Sequence, residues 1–215
     1  MNRLARSAVV AGAFALSAGS AQADCGEVTI TMMDWDSGVV VTEVAIFIME
    51  NGYGCSVTQV PSSTNPAITS LKELGEPDIV TELWLNSAPA LPAMLEAGDV
   101  VKQADVLSDG AEEGWFVPKF LVDANPELGT LAGVLANPDA FGARFHNCPD
   151  GWGCKTINEN LAAAAKLEDA GFEVFSHGSS ETLGASIGAA FENEEGWFGY
   201  YWAPTALLGN YPMVK

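Results

Sequence analysis

Residues 27 to 60 read EVTITMMDWDSGVVVTEVAIFIMENGYGCSVTQV, and the change of texture inside this stretch sets the fold class. Glu27 to Met33 alternates and is rich in β-branched residues, the pattern of a strand. From Val39 to Glu50 the apolar residues run for the length of a helix, and Asn51-Gly52 is a stop signal. Strand character returns from Ser56 to Val60. The unit then repeats, with a helix expected from Pro66 to Leu74, a strand over DIVTELWL (Asp78 to Leu85) and a helix from Pro89 to Ala97. Strands alternating with helices predict a parallel sheet covered by helices, an α/β lobe.

Beyond Trp115 prolines and asparagines punctuate short segments, and WFVPKFLV (115 to 122) reads as a connection into a second lobe. There a helix is expected from Asn158 to Ala170, ended by Gly171, then a short strand FEVF. A helix capped by Ser179 or Ser180 follows and reaches Phe191. GWFGYYWAP (196 to 204) is an aromatic strand cut off by Pro204. Two α/β lobes are therefore expected, over residues 24–116 and 117–215. The ending TALLGNYPMVK has neither a capped helix nor a finished sheet, which suggests a piece of a longer chain.

Ahead of the first lobe stands MNRLARSAVVAGAFALSAGSAQA, two arginines, an apolar run and a small-residue A-x-A ending. This is the pattern of a secretory signal cleaved after Ala23, with an apolar run too short to span a membrane. An exported, periplasmic protein is expected. Removing residues 1–23 takes Arg3 and Arg6 and no acid, leaving 7 basic against 28 acidic residues, a balance of −21. Nucleic acid and anionic membrane are disfavoured as partners on charge alone. The four cysteines, Cys25, Cys55, Cys148 and Cys154, favour disulfides in an oxidising compartment, and they allow three pairings. Cys148 with Cys154 closes a tight loop and leaves Cys25 with Cys55. A zinc site on His146, Cys148 and Cys154 has no evident fourth ligand, so no metal or other cofactor is expected.

Ligands of open α/β sheets bind at the carboxyl ends of strands, where loops converge. Trp35 follows the first strand, Trp84 lies near the end of DIVTELWL, and Trp202 near the end of GWFGYYWAP. Trp152 joins them if its cysteine-bounded loop, NCPDGWGC (147 to 154), faces the same cleft. Any single tryptophan is more often core than ligand, and Trp115 and Trp197 are assigned to core or hinge. Three or four together would suit a quaternary ammonium, whose methyl groups pack on ring faces and which donates no hydrogen bond. Gly151 and Gly153 can adopt positive φ, letting loop amides converge on an anion.

The motifs VTELWLNSAPAL (80 to 91), NCPDGWGC and WFGYYWAP (197 to 204), in that order, resemble the substrate-binding proteins of glycine betaine and choline-type ABC transporters. The resemblance implies a type II periplasmic-binding-protein fold of two α/β lobes hinged about a cleft, here without its C-terminal return segment. It implies a tryptophan cage of Trp84, Trp152 and Trp202, with Trp35 as a weaker member. It further implies a Cys148–Cys154 loop disulfide, and amides of Gly153 and Cys154 facing a ligand carboxylate. A monomer that serves a membrane permease is expected. Some relatives place a histidine four residues after the first cage tryptophan; here that position is Ala88, with Ser87 and Asn86 as substitutes.

A sugar-binding protein on the same fold is the competing reading, since tryptophans also stack on sugars. Only Arg144 survives as an arginine after cleavage, which argues against it and against α-amino-acid clamps. No enzyme is expected: His146 and His177 are the only histidines, and no G-x-S-x-G, H-E-x-x-H or P-loop occurs. The serines of GSSET (178 to 182) are read as a helix cap. Asp34 and Asp36, flanking Trp35, are read as solvated loop acids.

Overall fold

The computed structural model describes residues 25–107 and 110–215, so the signal segment expected at 1–23 lies outside it. In the first lobe β1 (Glu27–Met33), α1 (Asp36–Tyr53), β2 (Ser56–Ser62), α2 (Thr64–Leu74) and α3 (Leu91–Ala97) follow one another. β1 and β2 are parallel, in register from Glu27 with Ser56 to Met33 with Ser62. Cys25 and Cys55 are disulfide-bonded just ahead of the two strands. α1 buries Gly38, Thr42 and Ile46, spaced four apart along one face, and leaves Val40, Val44, Phe47 and Ile48 exposed on the other. The helix runs through the expected stop at Asn51-Gly52 and ends at Gly54, whose left-handed φ of 70° an L side chain would resist.

DIVTELWL does not form the expected strand. Only Ile79 bridges to Ile30 of β1; the amide of Thr81 is then taken by the Thr31 hydroxyl at 3.2 Å, and Glu82 turns the chain with φ 46°. A short 3₁₀ turn, Leu85–Ser87, follows.

The second lobe is a five-stranded sheet in the order β5-β4-β6-β3-β7. Its strands are β3 (Glu112–Pro118), β4 (Arg144–Asn147), β5 (Glu173–Ser176), β6 (Gly199–Ala203) and β7 (Met213–Val214). β4 is parallel to β5 and β6, whereas β3 is antiparallel to β6 and β7. WFVPKFLV is therefore more than a connection: its first half belongs to β3 and its second to α4 (Lys119–Ala124). The division expected at residues 116 and 117 falls inside β3. A further short helix, α5 (Leu131–Ala136), leads toward β4. α6 (Gly153–Ala165) starts five residues earlier than expected, within the cysteine-bounded loop. α7 (Ser180–Glu192) is capped as expected: the Ser179 hydroxyl accepts from Thr182 N–H in a capping box. The last helix, α8 (Ala206–Asn210), precedes β7.

Aromatic residues fill this lobe. Phe145 and Phe198 lie 5.1 Å apart in edge-to-face contact, with Trp115 against both at 4.7 and 5.5 Å. Such pairs contribute about 0.5–1.5 kcal/mol each beyond their buried area. Trp197 is fully buried and donates to Ser186 at 2.9 Å. Among the described residues no helix is long and apolar enough to cross a membrane.

The Trp197 ring also stacks on His146, whose Nδ1 lies 2.9 Å from Nε2 of His177. One imidazole N–H serves both nitrogens, and protonating both rings would leave two cations face to face. Burial, then His177 and Arg144, hold His146 down to about 3, and burial followed by Arg144 lowers His177 as well. Both groups are neutral in the fold but protonate near 6.5 when unfolded. Their stabilisation is thus complete above pH 6.5 and is lost as pH falls, for His146 toward about 3. Unfolding free energy is expected to fall below pH 6.5 with a slope of up to ~1.4 kcal/mol per pH unit for each proton. Denaturant titrations from pH 7.5 to 4 check this; His146→Phe, which keeps the stacked ring, should flatten the slope.

Candidate functional site

The lobes meet at the carboxyl end of β1. Trp35 leaves that strand to occupy the N-cap position of α1. Trp84 stands ahead of the 3₁₀ turn, Trp152 holds the N-cap position of α6, and Trp202 lies in β6. The rings of Trp35 and Trp152 meet edge to face at 5.3 Å, and those of Trp152 and Trp202 at 5.2 Å. Trp202 also stacks on Tyr201 at 4.4 Å. All six expected binding residues, Trp35, Trp84, Trp152, Gly153, Cys154 and Trp202, line one cavity, joined by Thr64, Ser87 and Tyr200. Its volume is about 20 Å³, room for one water and too little for a trimethylammonium group. A wider cleft of about 630 Å³ adjoins it past Ser87, Cys154 and Tyr200, flanked by Glu113, Trp115 and Asn158.

Carboxylates back the rings. Glu82 Oε1 accepts the indole N–H of Trp35 at 2.8 Å, that of Trp84 at 3.2 Å and the Ser37 hydroxyl at 2.6 Å. Asp34 Oδ1 accepts the Trp152 indole N–H at 2.8 Å. Burial pushes the Asp34 carboxyl above its ordinary range against the pull of that bond. Glu113 accepts from the Tyr200 phenol at 2.7 Å and from Ser87 at 2.9 and 3.1 Å. Burial first, then Glu113, hold the Tyr200 phenol well above its usual range, so it remains a donor. Asp34, though exposed, is thus more than a solvated loop acid, since it holds the Trp152 indole, and the Ser87 hydroxyl is already committed to Glu113. Ala88, where some relatives were expected to carry a histidine, is fully buried against Ile68, Leu91 and Met94.

Local chemistry builds the loop around Trp152. Cys148 and Cys154 are bonded to each other, which takes both sulfurs out of any metal-ligand role. Of the two loop glycines only Gly151 has positive φ, at 87°. Gly153 is needed for clearance instead: a Cβ there would lie 1.6 Å from the Ser87 carbonyl oxygen and 3.2 Å from Thr64 Cγ2, both in the first lobe. The loop is stitched to α2 by Asn65, whose amide N–H donates to the Gly151 carbonyl at 2.9 Å and whose side chain donates to the Trp152 carbonyl at 3.3 Å. Glu82, Glu113, Thr64 and Tyr200 were not singled out from the sequence. Only the spacing of Glu82, two residues before Trp84, gave any signal.

The family described as the substrate-binding domain of ABC-type glycine betaine transport system matches residues 26–215. Among solved structures the chain is similar to an ABC-transporter choline-binding protein in complex with choline. The TM-score is 0.73 at 19% identity, over 88% of this chain and 64% of that one. It is also similar to lactococcal OpuAC, closed on glycine betaine, with TM-score 0.65 and 19% identity over 87% and 69%. The glycine betaine/L-proline-binding protein ProX of Borrelia burgdorferi gives TM-score 0.64 at 16% identity over 87% and 67%. The chain thus spans just under two thirds of the length of the first of these, and the likenesses carry the type II periplasmic-binding-protein fold.

Proposed function

We infer, because this chain belongs to the family of substrate-binding domains of ABC-type glycine betaine transport systems, that it captures a quaternary ammonium osmolyte such as glycine betaine, proline betaine or choline. The site is the cavity between the lobes, with Trp84, Trp152 and Trp202 presenting ring faces to the methylated nitrogen and Trp35 completing the wall. The loop amides of Gly153 and Cys154, at the start of α6, face the solute's oxygen. The protein acts outside the cytoplasm as a monomeric, non-enzymatic component of an importer, and delivers its ligand to a membrane permease. One observation carries this reading: four tryptophans from four separate segments line a single cavity together with Gly153 and Cys154.

Each ring contributes ~0.5 to 2 kcal/mol to a cation, more as water is excluded. Lobe closure supplies that exclusion. The cavity as it stands is smaller than the ligand, so entry requires the seam between the Cys148–Cys154 loop and α2 to part, and as the seam closes again the rings must stay separated around the methylated nitrogen. The disulfide keeps Trp152 ordered throughout, lowering the entropy cost of binding. The lining contains no arginine, lysine or histidine, which fits a trimethylammonium better than a sugar or an α-amino acid.

Isothermal titration with glycine betaine, proline betaine, choline and carnitine tests the reading. Saturable binding of at least one, and none of glucose or proline, is the expected result. No heat from any of the four would reject it.

A further inference from the structure

Behind the cage stands an acid whose charge no cation among the described residues answers. Glu82 is only 5% exposed. Its Oε1 gathers three hydrogen bonds, but its Oε2 is buried with no partner, and among the described residues no lysine, arginine or histidine forms an ion pair with it. The left-handed φ of 46° that turns its side chain inward is strained for glutamate. Strain of this kind persists where the surroundings or a function demand it. Buried carboxylates are ordinarily paired with a cation, because desolvation penalises them otherwise.

The pattern extends around the cavity. Trp35, Trp84, Ser87, Trp152 and Tyr200 each direct their polar hydrogen to a carboxylate, those of Glu82, Asp34 or Glu113. The nearby Lys155 is tied to Glu159 and Asp150. Against these acids stand the amides at the start of α6, the Thr64 hydroxyl and the Trp202 indole N–H, which is buried and unpaired. That indole offers one neutral donor, enough for a hydroxyl oxygen. A carboxylate on the ligand would bring its negative charge beside the buried Glu82, whose Oε2 has no partner, where low dielectric strengthens the repulsion.

We propose that Glu82 sets the charge preference of the cage, so that a quaternary ammonium alcohol of net positive charge is taken in preference to a zwitterionic betaine. This rests on the tryptophan-cage reading and narrows its ligand class. Glu82 acts through Trp35 and Trp84: it holds both indoles by one oxygen, and its charge reaches the ligand across the rings.

The test is calorimetric titration of the wild-type protein and Glu82→Gln with choline, glycine betaine and 3,3-dimethylbutan-1-ol, the uncharged isostere of choline. Glutamine keeps an acceptor for the indoles but loses the charge. Wild-type protein should bind choline at least tenfold more tightly than glycine betaine. Glu82→Gln should weaken choline at least tenfold while changing the isostere less than threefold. Betaine bound as tightly as choline by the wild type would overturn the proposal, as would a variant that weakens all three ligands by one common factor. The wild-type comparison decides even if the variant does not fold. Failure of the wild type to bind any of the three would instead remove the cage reading itself.

Discussion

Gly153→Ala is expected to lower ligand affinity a hundredfold or more, about 2.8 kcal/mol, while leaving both lobes folded. The added methyl group would lie 1.6 Å from the Ser87 carbonyl oxygen, far inside van der Waals contact. Both partners are main chain, one at the first turn of α6 and the other in the 3₁₀ turn of the opposite lobe, so no side-chain rotation relieves the overlap. The two elements must move apart, and that movement opens the cavity they share. Within α6 itself alanine is a better helix former than glycine. The variant should therefore show wild-type circular dichroism and a melting temperature within a few degrees, yet give little heat on titration. Affinity within threefold of wild type would show that the close approach of Gly153 to Ser87 has no part in binding.

Trp152→Ala carries the second large effect, and it falls on stability and binding together. The ring is 5% exposed and wedged edge to face between Trp35 and Trp202. Removing it costs ~3 to 5 kcal/mol, and the cavity left behind removes the mutual support of the two remaining rings. Trp152→Phe separates the parts. It keeps an aromatic face but loses the indole N–H that donates to Asp34, leaving that carboxylate without its partner. Denaturant unfolding should place Phe between wild type and Ala, with ligand affinity in the same order. Equal stability of all three would mean that the loop ring contributes no packing.

The alternation of strand and helix was legible because each element between Glu27 and Ala97 carries its own period and its own stop. The cap at Ser179 was legible for the same local reason. DIVTELWL misled because its apolar, β-branched texture says nothing of Glu82, whose inward-turned carboxylate takes the Trp35 indole and the Ser37 hydroxyl from another segment as well as the neighbouring Trp84. Trp35, one of its partners, lies 47 residues away. β3 was hidden behind a proline and an apparent change of texture; it becomes a strand by pairing with β6, nearly ninety residues on. Trp35, Trp152 and Trp202 were singled out from the end of β1, the cysteine loop and β6, where they stand; Trp84 lines the same cavity although the strand expected to end at it does not form. Of the acids behind them Asp34 was noticed and read as solvated, and Glu82 was not, since a glutamate two residues from a tryptophan looks like any exposed charge until the fold buries it. The glycines of the loop show both outcomes. Gly151 has the positive φ expected of it, whereas the need for Gly153 arises from a carbonyl of the other lobe, which no local reading could supply.

A crystal structure of the protein with a bound quaternary ammonium tests the account most directly. It predicts a methylated nitrogen within ~6 Å of the ring centroids of Trp84, Trp152 and Trp202, with the Gly153 amide closed against Ser87. A nitrogen held elsewhere, out of reach of those three rings, would contradict it.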